Sequence, residues 1–306
     1  MTQETSPPKC GPKSGVVALI GAPNAGKSTL INALVGQKVA ITSSQPQTTR
    51  TRLLGIAIKD EAQLLLVDTP GIFEPRRRLD RAMVSAAWDG AEDADVIIFL
   101  VDARAGLGEK VTSIVERIKH RQEKTILVLN KVDIAAKDKL LNHASKLNDL
   151  SVFDETFFIS AKTGDGLDEL KDYLVAAIPE GPWHFPEDQV SDPSERILSA
   201  EITREQVFRQ LHAELPYATA IAMEQYKERP DGSIEIHQQI LVEKASQRAI
   251  ILGKGGHQIK EIGAKARAEL SEILGKKVHL YLHVKVSANW DEDKSLYQDM
   301  GLDWVK

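Results

Sequence analysis

The most constraining feature of the sequence is a glycine-rich octapeptide that begins at residue 21. Residues 21–28 read Gly-Ala-Pro-Asn-Ala-Gly-Lys-Ser and fit the pattern G-x-x-x-x-G-K-[S/T]. An apolar run (16–20) precedes them and a helical pattern (29–35) follows them. A loop between a strand and a helix is the context that phosphate binding requires, because backbone N–H groups and the helix N-terminus then surround the phosphates. The chain is therefore predicted to bind a nucleoside triphosphate.

Each residue of this loop is a candidate nucleotide contact. They are Gly21, Ala22, Pro23, Asn24, Ala25, Gly26, Lys27 and Ser28. The Lys27 ammonium would reach the terminal phosphates, and the Ser28 hydroxyl would bind Mg²⁺. Asn24 is also a candidate ligand for a K⁺ ion that bridges the phosphates. The alternative is that the Asn24 side chain only stabilises the turn of the loop.

Two later segments predict which base the site accepts. Residues 130–133 read Asn-Lys-Val-Asp after an apolar run, at the strand end where open α/β sheets bind ligands. The Asp133 carboxylate can accept hydrogen bonds from N1–H and the exocyclic amine of guanine, which adenine cannot offer, so GTP is favoured over ATP. Ser-Ala-Lys at 160–162 also follows a predicted strand and could line the same pocket. The base-binding candidates are Asn130, Lys131, Asp133, Ser160, Ala161 and Lys162.

Two further segments have the character of nucleotide-sensing switches. Asp68, Thr69, Pro70 and Gly71 follow a predicted strand. Asp68 would hold Mg²⁺ through water, and the Gly71 amide would sense the γ-phosphate. Residues 47–50 read Gln-Thr-Thr-Arg, and one threonine would complete the Mg²⁺ shell; we favour Thr49, with Thr48 as the alternative. Lys27, Thr49 and Gly71 are thus the candidate catalytic residues.

The residue after Gly71 is Ile72, where many switch GTPases carry the glutamine that orients the attacking water. Isoleucine has no polar group for this task, so slow hydrolysis is predicted unless backbone, a partner or a metal ion organises the water. Residues 76–78 are three arginines. They could supply charge to the transition state, contact rRNA phosphates or form a solvated loop.

Composition and patterning predict two domains. The 306 residues are 42% hydrophobic and 27% charged, as in ordinary soluble proteins, and a single cysteine excludes an internal disulfide. Five apolar runs alternate with amphipathic segments in the first half, which predicts an α/β P-loop NTPase fold, a mostly parallel sheet with helices on both faces. The predicted divisions are a tail (1–14), a GTPase domain (15–180), a linker docked by its aromatic residues (181–195), a second domain (196–290) and a C-terminal tail (291–306).

The second half predicts a smaller α+β domain. We expect a strand at 197–202, a helix at 204–215, a hairpin of strands at 219–226 and 234–242, and a half-buried last strand at 278–286 in an antiparallel sheet. Between two helical segments lies Gly-Lys-Gly-Gly at 253–256, a G-x-x-G loop of the kind that clamps the backbone of about four nucleotides.

Local charge supports RNA as the ligand of this domain. Residues 244–285 contain nine Lys and Arg against three acidic residues, although the whole chain has a net charge of -5. A basic region in an acidic protein is typical of a polyanion-binding surface. The candidate RNA-binding residues are Ile251, Gly253, Lys254, Gly255, Gly256, His257 and Lys260.

The motifs at 21–28, 47–50, 68–71 and 130–133 resemble those of translation-factor-class GTPases, and the second half resembles a type II KH domain. Together, over residues 16 to about 290, the chain resembles the Era family of bacterial GTPases. That resemblance implies a GTPase that binds GTP, GDP and Mg²⁺, binds 16S rRNA near its 3′ end through the KH domain, and acts in assembly of the 30S subunit. It also implies a cytoplasmic protein with some peripheral association with the inner membrane, and we expect a monomer.

We expect the nucleotide state to switch RNA affinity. GTP and Mg²⁺ would order the segment around Thr49 and Asp68 and so alter how the KH domain sits. Two alternatives stay open. The chain could be a passive RNA chaperone whose GTPase core is only a scaffold, or a GTPase whose basic surface docks a protein or anionic lipid.

Overall fold

The computed structural model describes residues 11–43, 49–50, 53–75, 77–105, 107–150, 152–191, 195–300 and 302–305. The first domain contains a six-stranded sheet. Its strands are β1 (Lys13–Gly21), β2 (Leu53–Lys59), β3 (Ala62–Asp68), β4 (Val96–Asp102), β5 (Lys124–Asn130) and β6 (Glu155–Ile159). Their spatial order is β2-β3-β1-β4-β5-β6, and β2 alone among them runs antiparallel to its neighbour. The predicted mostly parallel sheet is confirmed.

Helices cover both faces of this sheet. They are α1 (Lys27–Val35), α2 (Arg78–Glu92), α3 (Glu109–Ile118), α4 (Lys137–Asn148) and α5 (Leu167–Ala177). Successive residues of β1 point to opposite faces, so Val17 and Leu19 belong to one apolar cluster with α1 and α5, whereas Ala18 and Ile20 belong to another with α2, α3 and α4. Burial on both faces explains the continuous apolar runs of the sequence.

The second domain differs from its prediction at its start and in its sheet. The predicted strand at 197–202 is wrong, because these residues lie in a helix, α6 (Glu195–Gln210). Leu198 and Ile202, four residues apart, share the buried face that α6 presents to the domain core. The predicted helix at 204–215 therefore starts earlier, at Glu195, and ends at Gln210.

The remaining elements of this domain are β7 (Thr219–Glu228), β8 (Ile234–Val242), α7 (Ala245–Leu252), α8 (His257–Leu274) and β9 (Val278–Val286). The sheet order is β7-β8-β9, and β7 and β8 form the predicted antiparallel hairpin. The predicted fully antiparallel sheet is wrong, because β9 pairs with β8 in parallel. Two helices separate β8 from β9, and such a crossover returns the chain in the same direction. The order of the KH elements is thus α-β-β-α-α-β.

The predicted linker lies along β2 and β3 of the first domain. The Trp183 indole N–H donates to the carbonyl O of Glu61 at 3.1 Å. Gln63, completely buried, accepts from the backbone N–H of His184 and Phe185 and donates to the Phe185 carbonyl. Hydrogen bonds of the linker backbone, together with its aromatic residues, thus hold the linker against the first domain.

Among the described residues, every helix is too short or too polar to span a membrane.

The C-terminal segment, predicted as a tail, is packed between the two domains. Trp290, Leu296, Tyr297 and Leu302 are buried in a cluster that includes Leu79, Ala82 and Met83 of α2 and Ala220 and Leu241 of the KH sheet. It contains a short helix, α9 (Lys294–Asp299). Arg78 lies over the Trp304 ring, 4.4 Å from its centroid, and pairs with Glu292 at 3.4 Å. Of the three consecutive arginines at 76–78, Arg78 therefore contacts this segment, and Arg76 lies outside the described residues.

Candidate nucleotide site and RNA interface

The phosphate-binding loop leads from the end of β1 into α1, which begins at Lys27. Gly26, before the helix, has a φ of 102°, and a Cβ there would lie 2.3 Å from Nδ2 of Asn130. A Cβ on Gly21 would lie 2.4 Å from the carbonyl O of Leu100. Only glycine fits at both positions. The loop is therefore packed against the ends of β4 and β5, at the carboxyl edge of the parallel strands.

Lys27 is buried within this loop, with 6% of its surface exposed. Its Nζ donates to the carbonyl O of Gly21 at 3.1 Å and of Ala22 at 3.3 Å. Burial lowers the pKa of Lys27 to about 8, although the Asp68 carboxylate favours the charged form. The site therefore holds a cation at a desolvation cost, and a polyphosphate placed against it would offset that cost.

Ser28, Thr49 and Asp68 come together from α1, the predicted switch segment and the end of β3. Ser28 Oγ donates to Asp68 Oδ2 at 2.8 Å, and Thr49 Oγ1 donates to the same oxygen at 3.1 Å. The two hydroxyl oxygens are 2.9 Å apart. Burial raises the pKa of Asp68, while Lys27, Ser28 and Thr49 oppose that rise.

This donor set fits Mg²⁺. Carboxylate and hydroxyl oxygens are the hard ligands that the ion prefers. The second carboxylate oxygen of Asp68, Oδ1, is buried and has no hydrogen-bond partner in the described part of the chain. A buried acceptor without a donor is typical of a position that a metal-bound water satisfies. Thr49 thus lies beside Ser28 and Asp68. Its role as the Mg²⁺ ligand stays a prediction, and the alternative, Thr48, lies outside the described residues.

The residues after Asp68 support the loop. The Thr69 hydroxyl donates to the carbonyl O of Leu19 at 2.6 Å, and Pro70 is also buried. A Cβ on Gly71 would lie 2.9 Å from Pro23, so this segment lies directly against the phosphate-binding loop. Ile72 donates its backbone N–H to Gly21 O at 3.1 Å, while its side chain is buried among α2 residues. Its side chain therefore points into the core.

Asn130 joins three segments of the base-binding region. Its Nδ2 donates to Ala25 O at 2.8 Å, and its Oδ1 accepts from the backbone N–H of Lys131 and Ala161 at 2.8 and 3.0 Å. Ser160 is fully buried and accepts from the Thr163 N–H, whereas Lys162 is exposed. Asp133 is exposed in the turn after β5, so its carboxylate is accessible to a base.

Asp102, at the end of β4, was not among the predicted site residues. Its Oδ2 pairs with Lys131 Nζ at 2.7 Å, and the same ammonium donates to Asn24 O at 2.6 Å. Burial disfavours the charged form, but hydrogen bonds from Arg104 and Lys131 hold the pKa of Asp102 below its usual range. The sequence feature that could have indicated Asp102 is an acidic residue at the end of an apolar run.

Asn24 itself is exposed with a left-handed φ of 64°, and its role as a K⁺ ligand stays a prediction.

The G-x-x-G loop connects α7 to α8 in the second domain. Gly253, Gly255 and Gly256 have φ values of 69°, 63° and 76°. A Cβ on Gly253 would lie 2.7 Å from Cβ of Gln258, so a side chain there would clash with the first turn of α8. The side chains of Lys254, His257 and Lys260 are exposed. The loop thus presents glycine backbone and cations to solvent, as phosphate contact requires.

Ile251 is not placed to contact RNA. It is completely buried with Val207, Ile240, Ile262 and Val284 in the core of the domain. The adjacent Ile250 is 58% exposed. Successive residues of a helix differ by about 100° in direction, so only one member of this pair can face the core. The apolar surface beside the loop therefore belongs to Ile250.

Comparisons with known proteins agree with both halves. One family model, described as 50S ribosome-binding GTPase, matches residues 16–131, and a KH domain model matches residues 214–291. GTPase Era of Erythrobacter litoralis (strain HTCC2594) is 60% identical over 298 residues, which cover 96% of this chain and 98% of that protein. GTPase Era of Afipia carboxidovorans is 53% identical over 304 residues, covering 99% of this chain and 97% of that protein.

Solved structures agree as well. A crystal structure of an Aquifex aeolicus Era variant bound to GDP and AlF4⁻ has a TM-score of 0.90 and 38% identity, over 94% of this chain and 99% of that chain. A crystal structure of Era with MgGDPNP and nucleotides 1506–1542 of 16S ribosomal RNA has the same TM-score and identity, over 95% of this chain and 99% of that one.

The fold and the site together define a P-loop GTPase joined to a KH domain. Sequence identity above 50% to two Era proteins, along almost their whole length and that of this chain, also defines the family within this class. The chain belongs to the Era family of GTPases, and it hydrolyses GTP.

Proposed function

We propose that this GTPase binds the 3′ region of 16S rRNA through its KH domain during assembly of the small ribosomal subunit, more tightly with GTP than with GDP. The observation that carries the proposal is the presence of a buried nucleotide site and an exposed G-x-x-G loop in one chain. The Era complex that covers 95% of this chain contains MgGDPNP together with 16S rRNA nucleotides, which supports RNA binding by the triphosphate form.

In the nucleotide site, Lys27 holds the terminal phosphates, and Ser28, Thr49 and Asp68 hold Mg²⁺. Mg²⁺ bound there neutralises charge that develops on the phosphates. Asp133 accepts from the guanine edge, while Asn130 keeps the base-binding and phosphate-binding loops in register through Ala25 and Ala161. These groups bind and orient the substrate before reaction, which is the main contribution of a protein to phosphoryl transfer.

Hydrolysis is slow in the isolated protein because no side chain at position 72 orients the water. The Ile72 side chain is 6% exposed and packs in the core. The Gly71 amide and a bound partner or ion supply this orientation instead. K⁺ held near Asn24 is one such ion, and RNA acting through the KH domain is another route.

In the KH domain, the glycine backbone of the loop approaches RNA phosphates, and Lys254 and Lys260 contribute charge. Ile250, exposed beside the loop, provides an apolar surface for a base. This interface is open to solvent, so its affinity falls steeply with salt. Residence in the cytoplasm, peripheral contact with the inner membrane and a monomeric state stay predictions.

The proposal is tested by GTP hydrolysis with and without an RNA that matches the 3′ end of 16S rRNA, each in potassium and in sodium buffer. We expect the RNA to accelerate hydrolysis, and a scrambled RNA of equal length to have little effect. A potassium requirement would identify the ion proposed at Asn24, and its loss in Asn24→Ala would assign the ligand. A rate unchanged by the matching RNA and by potassium would contradict the coupling between the two domains, and an unidentified protein partner would then be the leading explanation for the missing glutamine at position 72.

A further inference from the structure

Residues just before the predicted switch segment (47–50) and the last residue of that segment contact the KH domain. On the N-terminal side, Ile41 is 3% exposed and lies in the apolar cluster of α6 and the KH sheet. Glu205 of α6 has a completely buried side chain and accepts from the Thr42 backbone N–H at 3.0 Å. Lys38 pairs with both Glu205 and Glu269. The KH domain therefore holds this flank by an apolar contact and a buried charge.

Arg50 makes the contact on the C-terminal side. It is 4% exposed, and its Nη1 donates to Thr219 O at 2.7 Å while Nη2 donates to Tyr217 O at 3.1 Å. Its guanidinium also lies 5.7 Å from the centroid of the Trp290 ring. Burial lowers the pKa of Arg50 from its usual range. Both carbonyl acceptors that compensate this buried cation belong to the second domain.

The same two flanks also line the phosphate site. Ile41, Thr42, Ser43 and Thr49 surround one cavity together with Lys27 and Ser28. Thr49 bonds Asp68 and Ser28, and it immediately precedes Arg50. Consecutive Cα atoms are about 3.8 Å apart and joined by a rigid peptide, so a shift of Thr49 must move the Arg50 backbone. A change at the Mg²⁺ ligand thereby reaches the Tyr217 and Thr219 carbonyls through one peptide bond.

We propose that Arg50 is the positioning residue that couples the Mg²⁺ and γ-phosphate site to the KH domain, with Glu205 as a second tie on the other flank. When Thr49 is hydrogen-bonded to Asp68, the Arg50 guanidinium contacts the carbonyl oxygens of Tyr217 and Thr219 and favours one arrangement of the KH domain. Displacement of Thr49 removes these guanidinium contacts. This inference rests on the proposed nucleotide switch and names the residues that transmit it.

Coupling of this kind is reciprocal. If the GTP-like state binds RNA more tightly than the GDP state by some factor, RNA must raise the affinity for the GTP analogue relative to that for GDP by the same factor. A purely structural Arg50 would instead hold the domains together equally in every nucleotide state. Its removal would then change stability and leave the ratio of RNA affinities unchanged, and this difference decides between the two roles.

The experiment measures RNA affinity of the full-length protein with GDP and with a non-hydrolysable GTP analogue, in Mg²⁺. The variants are Arg50→Met, which removes the fork, Arg50→Lys, which keeps the charge, and Glu205→Gln. The matched control is Arg121→Met. Arg121 likewise donates to two carbonyls, Ala91 O and Trp88 O, and lies 5.4 Å from a tryptophan centroid, but entirely inside the first domain.

We expect the native protein to show an affinity ratio between about 5 and 150, the usual range for allosteric coupling. Arg50→Met should reduce the ratio to within about twofold of one, Arg50→Lys and Glu205→Gln should reduce it in part, and Arg121→Met should leave it unchanged. The ratio of the affinities for the GTP analogue and for GDP should lose its dependence on RNA in the same order. Thermal unfolding and circular dichroism establish that each variant is folded.

The results separate the two proposals. A native ratio of one would overturn the nucleotide switch itself. A native ratio in the expected range that persists in folded Arg50→Met would overturn only the role of Arg50. If Arg50→Met fails to fold, Arg50→Lys and Glu205→Gln carry the test, because the first keeps the buried cation and the second keeps an acceptor for Thr42. Unchanged ratios in both would overturn the proposal.

Discussion

The nucleotide site and the G-x-x-G loop bind the same chemical group, a phosphate, by opposite designs. In the first, Lys27, Asp68 and Asn130 are almost completely buried, and each is hydrogen-bonded to loop backbone or to a neighbouring hydroxyl. In the second, three glycines with positive φ and an exposed Lys254 meet solvent. The buried site is organised before its ligand arrives, and the desolvation free energy of its charges is met during folding. The exposed loop has no such desolvation cost before RNA binds.

The two designs determine which ligands each site can discriminate. Buried charges in fixed geometry respond to the number of phosphates and to the ion between them, so they suit a switch. An exposed cation beside a glycine backbone gains affinity chiefly by counterion release, so it suits a long polyanion whose bases are read by neighbouring surfaces. Variants of one lysine in each site test the contrast most directly.

The largest effect is expected for Lys27→Ala. The buried ammonium is the group that meets the terminal phosphates, so its loss should lower GTP hydrolysis by about 10²- to 10³-fold, as removal of a preorganised electrostatic group does elsewhere. Stability of the ligand-free protein should not fall in parallel, because the variant no longer buries a cation. Single-turnover hydrolysis and thermal unfolding measure the two effects. Near-native hydrolysis in the variant would contradict the assignment of Lys27.

Much of the nucleotide site was predictable because its residues lie at strand ends in a fixed order. The loop at 21–28, Asp68 and Asn130 lie at the ends of β1, β3 and β5, as the apolar runs before them predicted. Asp102 was missed because its role depends on Lys131, a residue 29 positions away that only the parallel pairing of β4 and β5 brings beside it. The carboxylate at the end of an apolar run is visible in the sequence, but its pairing with Lys131 is not, because that contact depends on the sheet.

The second domain was harder for a related reason. Ile197, Leu198 and Ile202 suit a strand or a buried helix face equally in a short window, and only packing against the KH sheet selects the helix. Ile250 and Ile251 are chemically identical neighbours, and the direction of α7 decides which one is exposed. The contacts of Arg50 and Glu205 could not be foreseen, because they depend on how the two domains meet.

An intermediate effect is expected for Lys254→Asp in the exposed loop. Reversing one phosphate contact should weaken RNA binding by roughly 10- to 100-fold at low salt and reduce the salt dependence of affinity. Hydrolysis without RNA should stay native, because the loop and the nucleotide site lie in different domains. Lys146→Asp is the matched control, since Lys146 is also an exposed lysine, on α4 of the first domain. Equal losses in both variants would indicate nonspecific charge effects.

The smallest effect is a pH dependence confined to the buried site. Burial lowers the pKa of Lys27 to about 8 in the ligand-free protein, and bound phosphates favour its charged form, so binding above pH 8 must take up a proton. GDP affinity should therefore be flat below pH 8 and fall by up to about tenfold per pH unit above it. RNA affinity should show no matching step, because Lys27 lies in the other domain and does not contact the RNA. Titrations at pH 7 to 9 measure both.

Unfolding of the protein does not account for a loss of GDP affinity above pH 8, because deprotonation of Lys27 changes the stability of the fold in the opposite direction. A lysine with a depressed pKa destabilises the folded state while it is charged in both states, so its penalty is full below pH 8 and fades as pH rises toward the unfolded value of about 10.4. The ligand-free protein should become slightly more stable over the interval in which nucleotide affinity declines. Lys27→Arg keeps its charge throughout, so its nucleotide affinity should be independent of pH. A native-like decline in Lys27→Arg would assign the titration to another group and break the contrast between the two sites.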